Sequence, residues 1–300
     1  MLAVASTIAV RAHAPAASSA RPRTARRASV LEVRSVTSRR GRAPRSSALA
    51  RASADNAPPL GPAGTSHVIP GEPAYPGLYC DWSVTPDDVR EVWAYRVSLS
   101  VVAVSSLVCA SSLVLGDAAD AALNPAYFLG GSALGASLVL IHMYVDPIKK
   151  AMQAMWAAGF AGSLGISLVT HQAVPAYVAH HPLAIWLVGP MFAALTGVAF
   201  KEGMCYGKAE CAALFFVIPA TLLGHLSGLA SEGAERGLVA AWMALITVFA
   251  ARKYTQEVKD DIGDKSVFIF NALTEEEKGE WMRAARERDP IRYARLTGEL

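Results

Sequence analysis

The sequence predicts an all-α fold: a polytopic transmembrane helical bundle of six spans with a short helical tail. Three observations predict it. Between Ala94 and Ala251 lie six separate apolar stretches, each close to the roughly 20 residues that a helix needs to cross a hydrocarbon core about 30 Å thick. Hydrophobic residues make up 53% of the 300 positions and are gathered in blocks, where a soluble domain spreads a similar share in amphipathic stripes. Finally, lysine and arginine return in every second connection, the pattern of a chain crossing a membrane back and forth.

The first 54 residues precede these spans. They hold eleven of the 28 basic residues, all arginine, and a single acid, Glu32. Such a basic, Ser/Ala/Thr/Pro-rich and almost acid-free segment has the composition of an organelle transit peptide, read here as plastid-directed, with a mitochondrial presequence or a basic arm for anionic lipid or RNA as alternatives. Cleavage is expected between Ala50 and Asn56. Without the segment, the chain carries seventeen basic and 24 acidic residues, net −7. That balance excludes a nucleic-acid-binding reading of the whole protein.

Residues 55–84 are rich in Pro and Gly and read as an extended linker. Helix begins at Thr85, where a capping hydroxyl precedes Pro86 and the acids Asp87 and Asp88 meet the positive end of the helix dipole. The transmembrane domain occupies 85–251. Its spans are Ala94–Leu115, Ala126–Val145, Met152–Thr170, Leu183–Phe200, Cys211–Leu229 and Gly237–Ala251, with Trp93 and Tyr95 suited to the headgroup zone of the first. Residues 252–300 form a polar tail. In it, Thr274 to Glu277 make a capping box for a helix that should end before Pro290, with Arg283, Arg286 and Arg288 towards its negative end.

Orientation follows from the connections. Arg90, Arg96, Lys149, Lys150, Lys201, Lys208, Arg252 and Lys253 fall on one side and only Arg236 on the other. By the positive-inside rule both termini face the stroma, or the matrix under the mitochondrial alternative. Cys80, Cys109, Cys205 and Cys211 form no CxxC pair, so neither a disulfide framework nor a zinc site is expected.

Small residues at packing spacing, namely Ser98, Ser105, Ser112, Gly131, Gly135, Ala158, Gly162 and Gly165, mark faces where helices approach closely in lipid. A hydroxyl-lined pore is the competing account. His142 shares a helical stripe with Gly131, Gly135 and Leu138, and Asp146 falls one turn further along it. The two are expected to pair, favouring the imidazolium, either as an anchor of the helix end or as a proton relay. The run from Phe200 to Glu210 contains Lys201, Glu202, Cys205, Tyr206, Lys208 and Glu210, which could meet an anionic partner or a metal, although the spacing fits no metal pattern, or form a solvated turn of neutralising pairs. Pro190 and Pro219 flank it and suggest a kinked hairpin. His225 lies near the far end of the fifth span, on one face with Cys211, Ile218 and Thr221. His171, His180 and His181 gather in the connection before the fourth span, where copper or zinc is conceivable but solvated rings are the plainer account. Depth keeps His142 and His225 from ligating one haem. No GxSxG, HExxH or P-loop pattern occurs, so no catalytic residue is named.

Four ordered stretches, His142 to Pro147, Phe200 to Glu210, Gly224 to Leu226 and Asp261 to Phe268, resemble an uncharacterised integral membrane family of cyanobacteria and plastids over about Val89 to Phe270. The resemblance implies a six-span plastid membrane protein and transfers no reaction, cofactor or site residue. The expected function is non-enzymatic help in assembling or stabilising a photosynthetic membrane complex, with the Lys201–Glu210 turn and the tail as partner surfaces. A small carrier or channel, drawing on His142, His225 and the proline-bearing spans, is the alternative, and a haem- or pigment-binding protein is the third. The lipid bilayer and photosynthetic subunits are the expected partners, in the thylakoid or inner envelope; the cofactor, if there is one, is unknown.

Overall fold

The computed structural model describes residues 67–115 and 120–298. The expected transit segment and the first part of the linker lie outside the described residues, as does the side chain of Ser112.

Among the described residues six helices are long and apolar enough to cross a membrane: α1 (Pro86–Leu115), α2 (Asp120–Leu140), α3 (Asp146–Thr170), α5 (Ile185–Tyr206), α6 (Ala209–Ser227) and α7 (Glu232–Arg252). The short α4 (Val174–His180) and a 3₁₀ turn (Pro182–Ala184) join α3 to α5. Each span packs against the next and α7 returns to α1, so the six close into a ring. The chain is an integral multi-pass membrane protein. α1, α3 and α6 start from one end of the ring, called here the charged end, and α2, α5 and α7 from the far end.

Local chemistry sets the boundaries. Thr85 and Asp88 cap α1 reciprocally, the Asp88 N–H donating to Thr85 Oγ1 at 3.2 Å and the Thr85 N–H to Asp88 Oδ2 at 2.8 Å. The second span stops at Leu140, earlier than the expected Val145, and the third starts at Asp146, earlier than Met152. Pro147 near the N-terminus of α3 has no N–H to continue a helix through the junction. The carbonyls left open there are served by side chains instead: Lys149 Nζ donates to the Val139 and Ile141 oxygens at 2.8 and 2.9 Å, and Gln153 Nε2 to that of Leu138 at 3.0 Å. At the next junction on this end, Gly207 adopts φ +62° and closes α5, a left-handed cap that disfavours any side chain with a Cβ.

The core runs along the ring interior through Leu99, Leu138, Val188, Ala194, Val198, Leu214, Ile218 and Ile246. α3 meets α5 through Gly159 and Gly162: a Cβ on the first would collide with the Met191 backbone and on the second with the Leu187 carbonyl. Gly131 and Gly135 seat Phe160 and Trp156, and Ser105 is buried. The small-residue face expected on the third span is therefore displaced by one position. Ala158 and Gly165 are exposed, and Gly159 takes their place.

Around the charged end the remaining chain forms α8 (Val258–Ile262), α9 (Lys265–Ala272), α10 (Glu275–Arg288) and α11 (Pro290–Thr297). α10 starts on the expected capping box, Thr274 with Glu277, and ends before Pro290. Residues 67–84 are non-helical yet pinned. Tyr75 and Trp82 exchange backbone hydrogen bonds of 2.8 and 3.0 Å, the Leu78 and Tyr79 N–H groups donate to Asp264 Oδ2 at 2.6 Å and Ser266 Oγ at 3.0 Å, and Tyr79 stacks on Phe270 with centroids 3.9 Å apart.

Candidate functional site

The charged end encloses a network of ionised side chains drawn from five segments. α5 supplies Lys201 and Glu202 on its last turns, and Lys208 stands at the N-cap of α6. α1 supplies Tyr95 and Arg96, the end of α7 leads into Lys253, and α8 brings Asp261. Glu202 is fully buried and central. Its Oε2 accepts from Lys253 Nζ at 2.6 Å and Lys208 Nζ at 2.8 Å, while Oε1 lies 3.2 Å from Lys201 Nζ and accepts from the Tyr95 hydroxyl at 3.1 Å. Lys253, equally buried, also pairs with Asp261. Asp261 Oδ2 in turn accepts from Arg96 Nε at 2.7 Å and Nη2 at 2.6 Å. Arg96 Nη2 donates to the Gln256 carbonyl at 2.8 Å, and Gln256 Oε1 accepts from Lys208 at 2.6 Å.

Taking such ions out of water costs several kcal/mol each in effective terms, recovered only where geometry is good and remaining protons are satisfied. Here the lysines also sit over aromatic faces: Lys201 lies 4.7 Å and Lys208 5.1 Å from the Tyr206 centroid, and Lys253 5.0 Å from that of Tyr95. Burial pushes the Lys208 ammonium below its ordinary pKa, against the pull of Glu202. Beside the network Arg252 Nη1 pairs with Glu210 Oε2 at 2.5 Å, leaving Glu210 Oε1 buried and unpartnered.

The structure thus gathers Lys201, Glu202, Tyr206, Lys208 and Glu210, all singled out in the sequence, around one network. Of the accounts the sequence left open for this turn, the solvated one does not hold: Lys201, Glu202, Lys208 and Glu210 are all buried, with the start of α1, the end of α7 and α8 pairing with them or their partners. Cys205 and Met204 remain exposed on the same turn. The His142–Asp146 pair does not form. Since α2 ends at Leu140, His142 is not on its stripe; His142 Nε2 lies 3.7 Å from Glu91 Oε2 and Asp146 is exposed in the first turn of α3. Burial lowers the His142 pKa, outweighing Glu91, so the neutral ring is favoured where the sequence suggested the imidazolium.

His225 is at the far end, where Nε2 is 3.0 Å from the Val178 carbonyl and Nδ1 3.4 Å from Glu235 Oε1. His142 and His225 are at opposite ends of the ring. Among the described residues no three His, Cys, Asp or Glu side chains gather where they could hold a metal ion. Tyr95, Arg96, Lys253 and Asp261 complete the network and were not singled out as site residues from sequence. A signal existed for two of them: Arg96 interrupts an apolar run, which marks a paired charge, and Asp261 opens one of the four family-like stretches.

Over the network opens a cavity of about 560 Å³, walled among others by Lys208, Arg252, Lys259, Gln256, Tyr75 and Trp82. No curated protein and no solved structure matches this chain. Residues 136–270 match the model of a family described as uncharacterised integral membrane protein (DUF2301), a stretch that contains Lys201, Glu202, Lys208, Lys253 and Asp261 and leaves out Tyr95 and Arg96.

Proposed function

We propose that this protein is a non-enzymatic scaffold that helps assemble or stabilise a photosynthetic membrane complex in the thylakoid or inner envelope of a plastid. In this reading residues 1–54 are a removable transit peptide, 55–84 link it to the six-helix domain of 85–251, and 252–300 form the stromal tail. The plastid assignment draws on the arginine-rich, almost acid-free amino-terminal segment and on the family resemblance. The stromal placement of both termini draws on the positive-inside count. Of the eight residues in that count, Arg96, Lys201, Lys208 and Lys253 are held inside the network.

One observation carries the scaffold reading: the buried ion-pair network that ties α1, α5, the α5–α6 turn, the end of α7 and the tail together. A carrier that rocks its helices would have to separate these groups in each cycle, and unpairing a buried ion costs about 3–5 kcal/mol. A fixed platform needs no such separation. With the turn's charges enclosed, the partner surface falls to its exposed Met204 and Cys205 and to α10 rather than to Lys201, Glu202, Lys208 and Glu210. Affinity purification of the tagged full chain from mildly solubilised plastid membranes should recover photosynthetic subunits, and a knockout should lower the level of the same complex. Recovery of none, with normal complex levels, sinks the reading. Flux of an ion or metabolite through proteoliposomes would favour the carrier instead.

A further inference from the structure

The cavity at the charged end has the size of a small-ligand site, for which about 300–1,000 Å³ is usual. Its walls carry three cationic side chains, Lys208, Arg252 and Lys259, against one carboxylate, Asp260, and Lys259 is also paired with Glu257 at 2.9 Å. What lies beneath adds to the positive charge. The network and the adjoining pair hold five cations, Arg96, Lys201, Lys208, Arg252 and Lys253, against three carboxylates, Glu202, Glu210 and Asp261. Positive charge in excess next to a low-dielectric interior is unfavourable unless an anion accompanies it.

The position of the cavity suggests where an anion would come from. Lys208 lies between the ends of α5 and α6, and Arg252 closes α7, so both stand where spans leave the hydrocarbon and headgroups begin.

The geometry points to this cavity as a binding site for an oxyanion, a phosphate or sulfate group, borne by a lipid headgroup or by a small soluble molecule. Arg252, with Nη1 held by Glu210, has further guanidinium N–H groups to give, Lys208 and Lys259 add ammonium charge beyond their pairs with Glu202 and Glu257, and Tyr75 and Trp82 supply an aromatic wall for the rest of the ligand. The site goes beyond the scaffold reading and does not depend on it.

The test uses the purified full chain. In neutral detergent, thermal unfolding is followed while inorganic phosphate or pyrophosphate is titrated at constant ionic strength against chloride. In parallel, nanodiscs of phosphatidylcholine are compared with nanodiscs containing phosphatidylglycerol. A saturable rise in Tm with phosphate supports a soluble ligand, and one confined to phosphatidylglycerol supports a headgroup. Lys259→Glu should weaken the response at least about tenfold, the loss of one charge-assisted contact. Its side chain is 36% exposed and its partner Glu257 70%, so the fold should tolerate the loss of that pair. Asp260→Asn should tighten binding and needs no new charge to be accommodated. No response in either arm, a response equal to that of chloride, or unchanged affinity in both variants overturns the site.

Discussion

The two ends of the ring are held by different forces. At the charged end, Glu202, Lys253, Asp261 and Arg96 are each no more than 2% exposed, and every one is ion-paired across segments distant in sequence. At the far end the ion pair of Arg236 with Glu232 lies in solvent, at 69% and 77% side-chain exposure. Neutral hydrogen bonds bind the helices there: Asn124 Oδ1 accepts from the Val174 N–H at 2.8 Å, Asn124 Nδ2 donates to Ser167 Oγ at 3.2 Å, and Tyr127 and Ser163 share a bond of 2.8 Å. The same residue type therefore does different physical work at each end. Charge inside the protein fixes a geometry, whereas charge in water chiefly sets solubility and orientation.

If that contrast is right, Glu202→Gln should be the most damaging single change, because three lysines lose their common counter-charge. We expect a loss of about 3–5 kcal/mol of stability, read by denaturant or thermal unfolding in micelles. Lys253→Met should fall at the lower end of that range, since Arg96 still serves Asp261 and Lys201 and Lys208 still serve Glu202. A loss under about 1 kcal/mol in both variants would mean that water reaches the network and the two ends are alike.

At the far end Asn124→Ala should cost about 1–3 kcal/mol, the penalty for leaving the Val174 N–H without its acceptor. Hydrogen exchange should then show α4 opening before the charged end. Acid separates the regions further. Burial holds the folded His142 pKa below its ordinary value of 6.5, so its contribution to stability is complete above that pH and is lost as the pH falls through the lower folded value. The Glu277 carboxylate, held below 4.5 by the Thr274 N–H and hydroxyl in the exposed cap of α10, follows the same sign in a lower window. Unfolding measured from pH 7 downward should weaken first with His142, and His142→Gln should flatten that first step. Smallest of all, Arg236→Ala should shift stability by less than about 1 kcal/mol, as for any exposed pair.

The elements were legible where the physics is local. The capping box at Thr274 and the start at Pro86 depend on neighbours within one turn, and each appears where the residues announced it. The end of the second span was not legible. An apolar run continues to Val145, yet helix stops at Leu140 because Pro147 and the reach of Lys149 and Gln153 favour a break. His142 leaves the stripe of Gly131, Gly135 and Leu138 with it, since helical spacing has no meaning past the end of a helix.

The candidate site divides in the same way. Lys201, Glu202 and Glu210 stood out as charges at the edge of apolar runs, but their enclosure depended on α1, α7 and α8, which approach from more than forty residues away in sequence. By itself the chain determined that it crosses a bilayer six times, because apolar length against hydrocarbon thickness is a one-dimensional comparison. Only the tertiary structure decided which lysines face water and which are buried against Glu202. Ion pairing in a low-dielectric interior is a matter of distances in space, and those distances come into being when the ring closes.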